Sequence, residues 1–188
     1  MTDKKEKEIL KLLSSVKTRQ EGFSLLMQVF TEPIYWHIRR LVVKHEDAQD
    51  VMQECFINVY KYIGNFKGES SLKTWIYKIA TNEALRHCTK RRLEMDSYDE
   101  KSKLVNLFES ERDIDFNSAE AALQKALLSL PEKQRITFNL RYFEEMTYEQ
   151  IAEVTNSSIA TLKTNYHYAS NKIKEYILNN TEVSYERF

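Results

Sequence analysis

The sequence is poor in the residues that break helices and build phosphate-binding loops. Of 188 residues, three are glycine (Gly22, Gly64, Gly68) and two are proline (Pro33, Pro131). Three scattered glycines cannot make a phosphate cradle or a dinucleotide fingerprint. The two cysteines, Cys55 and Cys88, are isolated, with no CxxC. They indicate neither a disulfide framework nor a zinc site, and fit a reducing cytoplasm. His37, His45, His87 and His167 have no metal-ligand spacing, and no nucleophile motif occurs. No enzyme, cofactor or metal is therefore expected. No apolar run approaches membrane-spanning length, and the opening "MTDKKEKEIL" lacks the apolar core of a signal peptide. Net charge is also missing: Lys+Arg and Asp+Glu both total 28. A dedicated DNA binder is usually basic, so neutrality counts against that reading unless the charge is segregated.

It is segregated. Residues 73–92 hold six Lys/Arg and one acid, Glu83; residues 93–118 hold eight acids and three bases. The second stretch has weak periodicity and reads as an acidic, flexible linker, its alternative being a solvated loop with a short helix near 104–108. With scarcely any strand-like alternation elsewhere, the fold class expected is all-α. Two small helical domains, residues 1–92 and 119–180, flank the linker 93–118, and a tail covers 181–188. Sixty residues suffice for a marginal core. Pro33 is expected to kink or restart the first long helix near Glu32. Ser70 or Ser71 can cap the helix that follows the Gly-containing loop. Ser118 can cap the next domain's first helix, and Pro131 marks another helix start that runs to about Glu144.

The segment "YEQIAEVTNSSIATLKTNYHYASNKIKEYI" has the outline of a helix-turn-helix. Thr147 and Gln150 have capping-box spacing, "NSS" supplies the turn, and Ser158 can cap the second helix. At about 100° per residue, Ile159, Leu162, Tyr166, Ala169, Ile173 and Ile177 share one arc, the expected buried stripe. Ala160, Lys163, Thr164, His167, Tyr168 and Asn171 lie opposite. Such short, polar or basic side chains suit a major-groove floor: Lys for guanine or phosphate, Asn for adenine, Ala for a thymine methyl. A helical hairpin with a solvated face fits the same pattern.

In "HEDAQDVMQECFINVYKYI", Ala48, Val51, Met52, Cys55, Phe56, Val59 and Ile63 form a core side. Glu46, Gln49, Asp50, Gln53, Glu54 and Ile57 form the opposite side. Acids usually mark only a solvated face, but an apolar Ile57 rimmed by them can mark a protein contact. In "SLKTWIYKIATNEALRHCTKRR", Leu72, Trp75, Ile76 and Ile79 make a buried stripe. Lys78, Asn82 and Arg86 step along one flank, extended by Lys90, Arg91 and Arg92. Such a line beside a duplex gains affinity by counterion release. The preceding loop carries Asn65, Phe66, Lys67, Glu69, Ser70 and Ser71. It can take a flipped-out base by stacking and edge hydrogen bonds, or it is a connector with Phe66 tucked into the core.

Together these segments resemble a bacterial RNA polymerase sigma factor of the extracytoplasmic-function group. The resemblance spans most of residues 20–178. It rests on "DAQDVMQECFINVY", "NFKGESSLKTWIYKIATNEALRHCTKRR", "ALLSLPEKQRITFNLRYFEEMTYEQIAEVTNSSIATLKTNYHYASNKI" and the acidic spacer, in that order and spacing. It implies a transcription initiation factor that binds core polymerase and directs it to promoters. Asp47, Asp50, Gln53, Glu54 and Ile57 would dock on the clamp helices of the largest polymerase subunit. Asn65, Phe66, Lys67, Ser70, Lys78, Asn82, Arg86 and Lys90 would hold the melted −10 strand. Ala160, Thr161, Lys163, Thr164, His167, Tyr168 and Asn171 would face the −35 duplex, with the C-terminal domain resting on the polymerase flap. The acidic linker would thread the RNA exit path. The resemblance also implies an anti-sigma partner, membrane-anchored in the notion of the family, and a cytoplasmic monomer when free. The family's recognition helix usually begins Gly-Thr-Val and is richer in arginine. Here it begins Ala160-Thr161-Leu162, and Asn165 and Tyr168 stand at positions often basic, which weakens phosphate contact. The tail "NNTEVSYERF" has no family counterpart. A stand-alone helix-turn-helix regulator and a helical protein-binding adaptor remain as other readings.

Overall fold

The computed structural model describes residues 3–94 and 119–180. These residues divide into two compact units, and all their regular structure is helical.

The N-terminal unit contains α1 (Asp3–Leu13), α2 (Arg19–Val42), α3 (His45–Tyr62), a short 3₁₀ turn (Ile63–Asn65) and α4 (Leu72–Glu94). Leu26, Phe30, Ile34, Ile38 and Leu41 recur at spacings of three and four along α2, and all are buried. That is the apolar stripe an amphipathic helix turns to its core. Ile9, Val51, Cys55, Val59, Leu72, Ile76 and Ala80 are buried with them. Burial pushes the Cys55 thiol up to about 12, so this cysteine serves as a small apolar side chain.

The break expected at Pro33 does not occur: α2 runs through it. Proline costs a helix one hydrogen bond. Here the buried stripe continues on both sides of it, at Phe30 and Ile34. Pro33 itself is exposed, so water can take the carbonyl that loses its partner. The real stop comes at Val43, with φ 76 and ψ −56. The Lys44 amide donates to the Val42 carbonyl at 3.0 Å, closing a γ-turn of the rare positive-φ kind. A β-branched residue is strained there, yet Val43 is fully buried, and its burial offsets that strain.

Gly22 answers a different constraint. A Cβ at this position would lie 2.8 Å from Leu12 Cβ and 2.9 Å from the Leu13 backbone nitrogen. Glycine is therefore what lets α2 approach the end of α1. A buried polar contact ties α2 to α4: His37 Nε2 and Thr81 Oγ1 lie 2.9 Å apart. The imidazole is fully buried, which with the charges of Arg40 and Lys73 lowers its pKa to about 3. His37 is a neutral core residue.

The C-terminal unit contains α5 (Ala119–Leu128), α6 (Glu132–Phe138), a π-helical turn (Asn139–Phe143), α7 (Tyr148–Thr155) and α8 (Ile159–Asn180). Pro131 is the N-cap of α6 rather than its first helical residue. The expected helix to about Glu144 keeps its course but widens into the π turn. Ala126, Leu127, Leu130, Phe138, Ala169 and Ile173 form the core, and Ile151, Val154 and Leu162 are buried as well. Ile159 departs from its expected burial, being 36% exposed. It lies at the edge of the apolar arc and at the first turn, where one helix gives it cover on one side only.

Leu93 and Glu94, assigned from sequence to the linker, are the end of α4. The rest of the acidic stretch, the Ser118 cap and the tail 181–188 lie outside the described residues. Gly22→Ala should lower stability by about 1–3 kcal/mol through overpacking, although alanine is the better helix former by about 1 kcal/mol. Urea unfolding measures this; an unchanged or higher midpoint would show that α1 does not sit against α2 as described.

Candidate functional site

Three surfaces carry the residues singled out in the sequence. On α3, Asp50, Gln53, Glu54 and Ile57 are exposed. Ile57 keeps 58% of its surface in water while Val51, Cys55 and Val59 on the other side are buried. The helix therefore presents a short acidic face with one apolar side chain at its centre. Asp47 is different. It is partly covered, and its carboxylate lies 3.5 Å from His87 Nε2 of α4.

On α4, Lys78, Asn82, Arg86 and Lys90 are exposed, one turn apart, as the four-residue step requires. Arg86 is paired with Glu83, and Glu83 also accepts from Asn58 Nδ2 of α3 at 2.8 Å. This carboxylate offsets the Arg86 charge, and the flank stays basic through Lys78 and Lys90. The rotation of α4 is fixed further by His37–Thr81 and by Cys88 Sγ, 3.7 Å from the Leu41 carbonyl.

The loop before α4 is pinned at both ends. The Phe66 amide donates to the Ile63 carbonyl at 3.2 Å. The Phe66 ring leans on Trp75, with centroids 5.4 Å apart and planes at 56°. Phe66 is neither fully tucked into the core nor fully free: it is half-buried, with ring surface left over. Asn65 and Lys67 are exposed and Ser70 is partly so. Gly68 has φ +72, a conformation glycine adopts at little cost. Of the two candidate caps, Ser71 is the one used: the Thr74 amide donates to Ser71 Oγ at 3.0 Å.

The helix-turn-helix is built as its caps foretell. The Thr147 amide donates to Gln150 Oε1 at 2.9 Å, and the Gln150 amide donates to Thr147 Oγ1 at 3.3 Å. That is a reciprocal capping box. Asn156 takes φ 54 in the turn, which asparagine tolerates better than most residues. The Thr161 amide donates to Ser158 Oγ at 3.1 Å and caps α8. Ala160, Thr161, Lys163, Thr164, His167, Tyr168 and Asn171 are all exposed, with Leu162, Ala169 and Ile173 buried behind them. Asn171 Nδ2 and His167 Nε2 lie 3.1 Å apart. The Thr164 hydroxyl donates to the Ala160 carbonyl at 3.0 Å, keeping its oxygen as an acceptor.

One cluster was not visible in the sequence. The Tyr148 ring has the Arg141 guanidinium 5.2 Å and the Lys163 ammonium 5.9 Å from its centroid. Arg141 sits in the π turn, where an ordinary helical wheel misplaces it. Glu149 belongs to the same cluster. A backbone hydrogen bond and the Thr147 hydroxyl hold its carboxyl below the usual range, with Lys163 and Arg141 adding to the effect.

A family model for Sigma-70 region 2 matches residues 26–94, and one for Sigma-70 region 4 matches residues 120–173. The RNA polymerase sigma-H factor of Pseudomonas aeruginosa is 33% identical over 154 residues, covering 77% of this chain and 80% of that protein. The ECF RNA polymerase sigma-E factor of Haemophilus influenzae is 27% identical, over 84% of this chain and 88% of its own. The chain belongs to the RNA polymerase sigma factors of the extracytoplasmic-function group. Two solved structures share the fold. One is the sigma factor RpoE with the anti-sigma factor NepR from Bartonella quintana, with TM-score 0.70 and 21% identity over 86% of this chain and 99% of that one. The other is CnrH with the cytosolic domain of CnrY, with TM-score 0.69 and 14% identity over 94% of this chain and 99% of that one.

As a sigma factor, the chain is a transcription initiation factor and not an enzyme. It binds core RNA polymerase and promoter DNA. The stand-alone regulator and the adaptor are not favoured. No helix among the described residues is long and apolar enough to cross a membrane. Ser158→Ala should cost about 1 kcal/mol by uncapping α8, whereas Ser158→Asp should be close to neutral. Amide exchange of the first turn of α8 reads this, and equal protection in all three proteins would remove the cap from the account.

Proposed function

We propose that the three exposed surfaces divide the work of a sigma factor. The observation that carries this is the opposite charge of two neighbouring helices, an acidic face around exposed Ile57 on α3 and a basic line from Lys78 to Lys90 on α4. Residues 1–92 form the domain that docks on core polymerase and handles the −10 element. Asp50, Gln53, Glu54 and Ile57 meet the clamp helices of the largest subunit, with Asp47 in a supporting place beside His87. Asn65, Phe66, Lys67 and Ser70 capture a base of the melted strand, by stacking on the free surface of Phe66 and by edge hydrogen bonds. Lys78, Asn82, Arg86 and Lys90 follow the phosphate backbone, where counterion release supplies affinity.

Residues 119–180 form the −35 reader. Ala160, Thr161, Lys163, Thr164, His167, Tyr168 and Asn171 enter the major groove, with Lys163, Thr164 and His167 best placed for base edges. The unit also rests on the polymerase flap. The acidic linker after α4, residues 95–118, runs through the RNA exit path, its negative charge standing in for RNA. The protein acts in the cytoplasm, where polymerase is. An anti-sigma protein holds it inactive by covering both domains; the structural neighbour solved with the anti-sigma factor NepR supports the existence of such a partner.

The test is reconstitution with core polymerase from the same source. Asp50→Arg combined with Ile57→Glu should abolish co-elution with core without unfolding the protein. Lys163→Ala should keep co-elution and reduce transcription from promoters that need their −35 element, by roughly tenfold for a lost base contact of 1–3 kcal/mol. Unchanged binding by the first variant would remove the docking face, and lost core binding by the second would contradict its assignment.

A further inference from the structure

Helix α1 precedes the segment that matches Sigma-70 region 2, which begins at residue 26. It is nonetheless bonded to the element proposed to capture the −10 strand. The Leu72 amide, first in α4, donates to Glu6 Oε1 of α1 at 2.7 Å. The first amides of a helix have no partner within it, and Leu72 is fully buried. A donor in such a place needs an acceptor brought to it. Ser71, the adjacent cap, accepts from the Thr74 amide, and it is Glu6 that meets the Leu72 amide. A carboxylate at a helix N-terminus is also favoured by the helix dipole, and its hydrogen bond is charge-assisted.

Among the described residues, the other hydrogen bonds and ring contacts of the loop are local. Phe66 leans on Trp75 within the loop and its own helix, and Ser71 bonds to Thr74 three residues on. Glu6 is 66 residues away in sequence, and α1 is seated by the close approach that Gly22 allows. The point where the loop turns into α4 is thus fixed from a separate helix.

We propose that α1 is a working part of the −10 reader, and that Glu6 is its positioning residue, holding the loop-to-α4 junction so that Asn65, Phe66 and Ser70 are set for the melted strand. Glu6 touches no DNA in this account; it acts through the Leu72 amide. The inference rests on the reading of the loop as the strand-binding element. The reach of the acceptor sets the geometry and the negative charge adds strength, so the two can be separated. Glu6→Gln keeps an oxygen at the same reach without charge. Glu6→Asp keeps the charge but withdraws the oxygen by one methylene.

The experiment uses the full chain with core polymerase on a promoter selected by that holoenzyme from a randomised duplex library. Permanganate reactivity of −10 thymines reports strand opening, and anisotropy with a single-stranded −10 oligonucleotide reports capture and its discrimination against a mismatched oligonucleotide. Glu6→Asp should reduce opening and single-strand discrimination by roughly tenfold, the scale of a lost helix cap. Core binding and the far-ultraviolet melting profile below assay temperature should be retained. Glu6→Gln should fall between the parent and Glu6→Asp, since it keeps the reach and loses the charge, and Glu8→Gln at an exposed neighbour on α1 should behave as the parent. A merely structural role would move the melting temperature but not the discrimination ratio. Asn65→Ala with Phe66→Ala provides the separate control on the loop. If that pair impairs opening while Glu6→Asp leaves opening and discrimination unchanged, the role of Glu6 is overturned and the loop reading stands. If the loop pair has no effect, the loop reading fails and takes this inference with it.

Discussion

Helix α4 is held from three sides, and what the N-terminal unit presents depends on that. Glu6 of α1 bonds its first amide, His37 of α2 meets Thr81 in the core, and Asn58 of α3 bonds Glu83. A helix free to rotate by one residue would swing its side chains by about 100°. Lys78, Asn82 and Arg86 would then no longer share an exposed flank with the end of the loop. The buried His37 strengthens the constraint, because protonation in that site is so unfavourable that the imidazole remains a neutral hydrogen-bonding group through the ordinary range of pH.

Neutral total charge is compatible with promoter binding because the opposite signs are kept on different faces. Glu83, the one acid within the basic stretch, is engaged by Arg86 and Asn58 and offsets one positive charge, and Lys78, Lys90, Arg91 and Arg92 keep the stretch net positive. Exposed charges separated by more than about 10 Å are largely screened at ordinary salt. An acidic patch on α3 therefore need not repel DNA from the surface proposed for it on α4, and a chain that works bound to polymerase need not be basic by itself.

Much of this was legible in the sequence because it is local. The capping box at Thr147 and Gln150, the Ser158 cap, the turn at Asn156 and the alternation of buried and exposed faces on α3, α4 and α8 all follow from spacings of three and four. What was not legible depends on tertiary contact. Pro33 reads as a break, since the local cost is visible and the buried stripe that outweighs it is not. Arg141 and Tyr148 lie on different elements, so no single helical wheel brings them together. Glu6 and Leu72 are too distant in sequence for any periodicity to link them. Phe66 had two readings, and its half-buried place against Trp75 lies between them.

The division of surfaces proposed above places promoter affinity in the assembled pair rather than in either partner. The most direct measurement is fluorescence anisotropy of a labelled promoter duplex titrated with this protein alone, with core polymerase alone, and with both, at one fixed salt concentration. The account predicts sequence-specific binding with both, at least roughly a hundredfold tighter than with the free protein, since much of the binding free energy comes from the polymerase. Equally tight, sequence-specific binding by the free protein would contradict it.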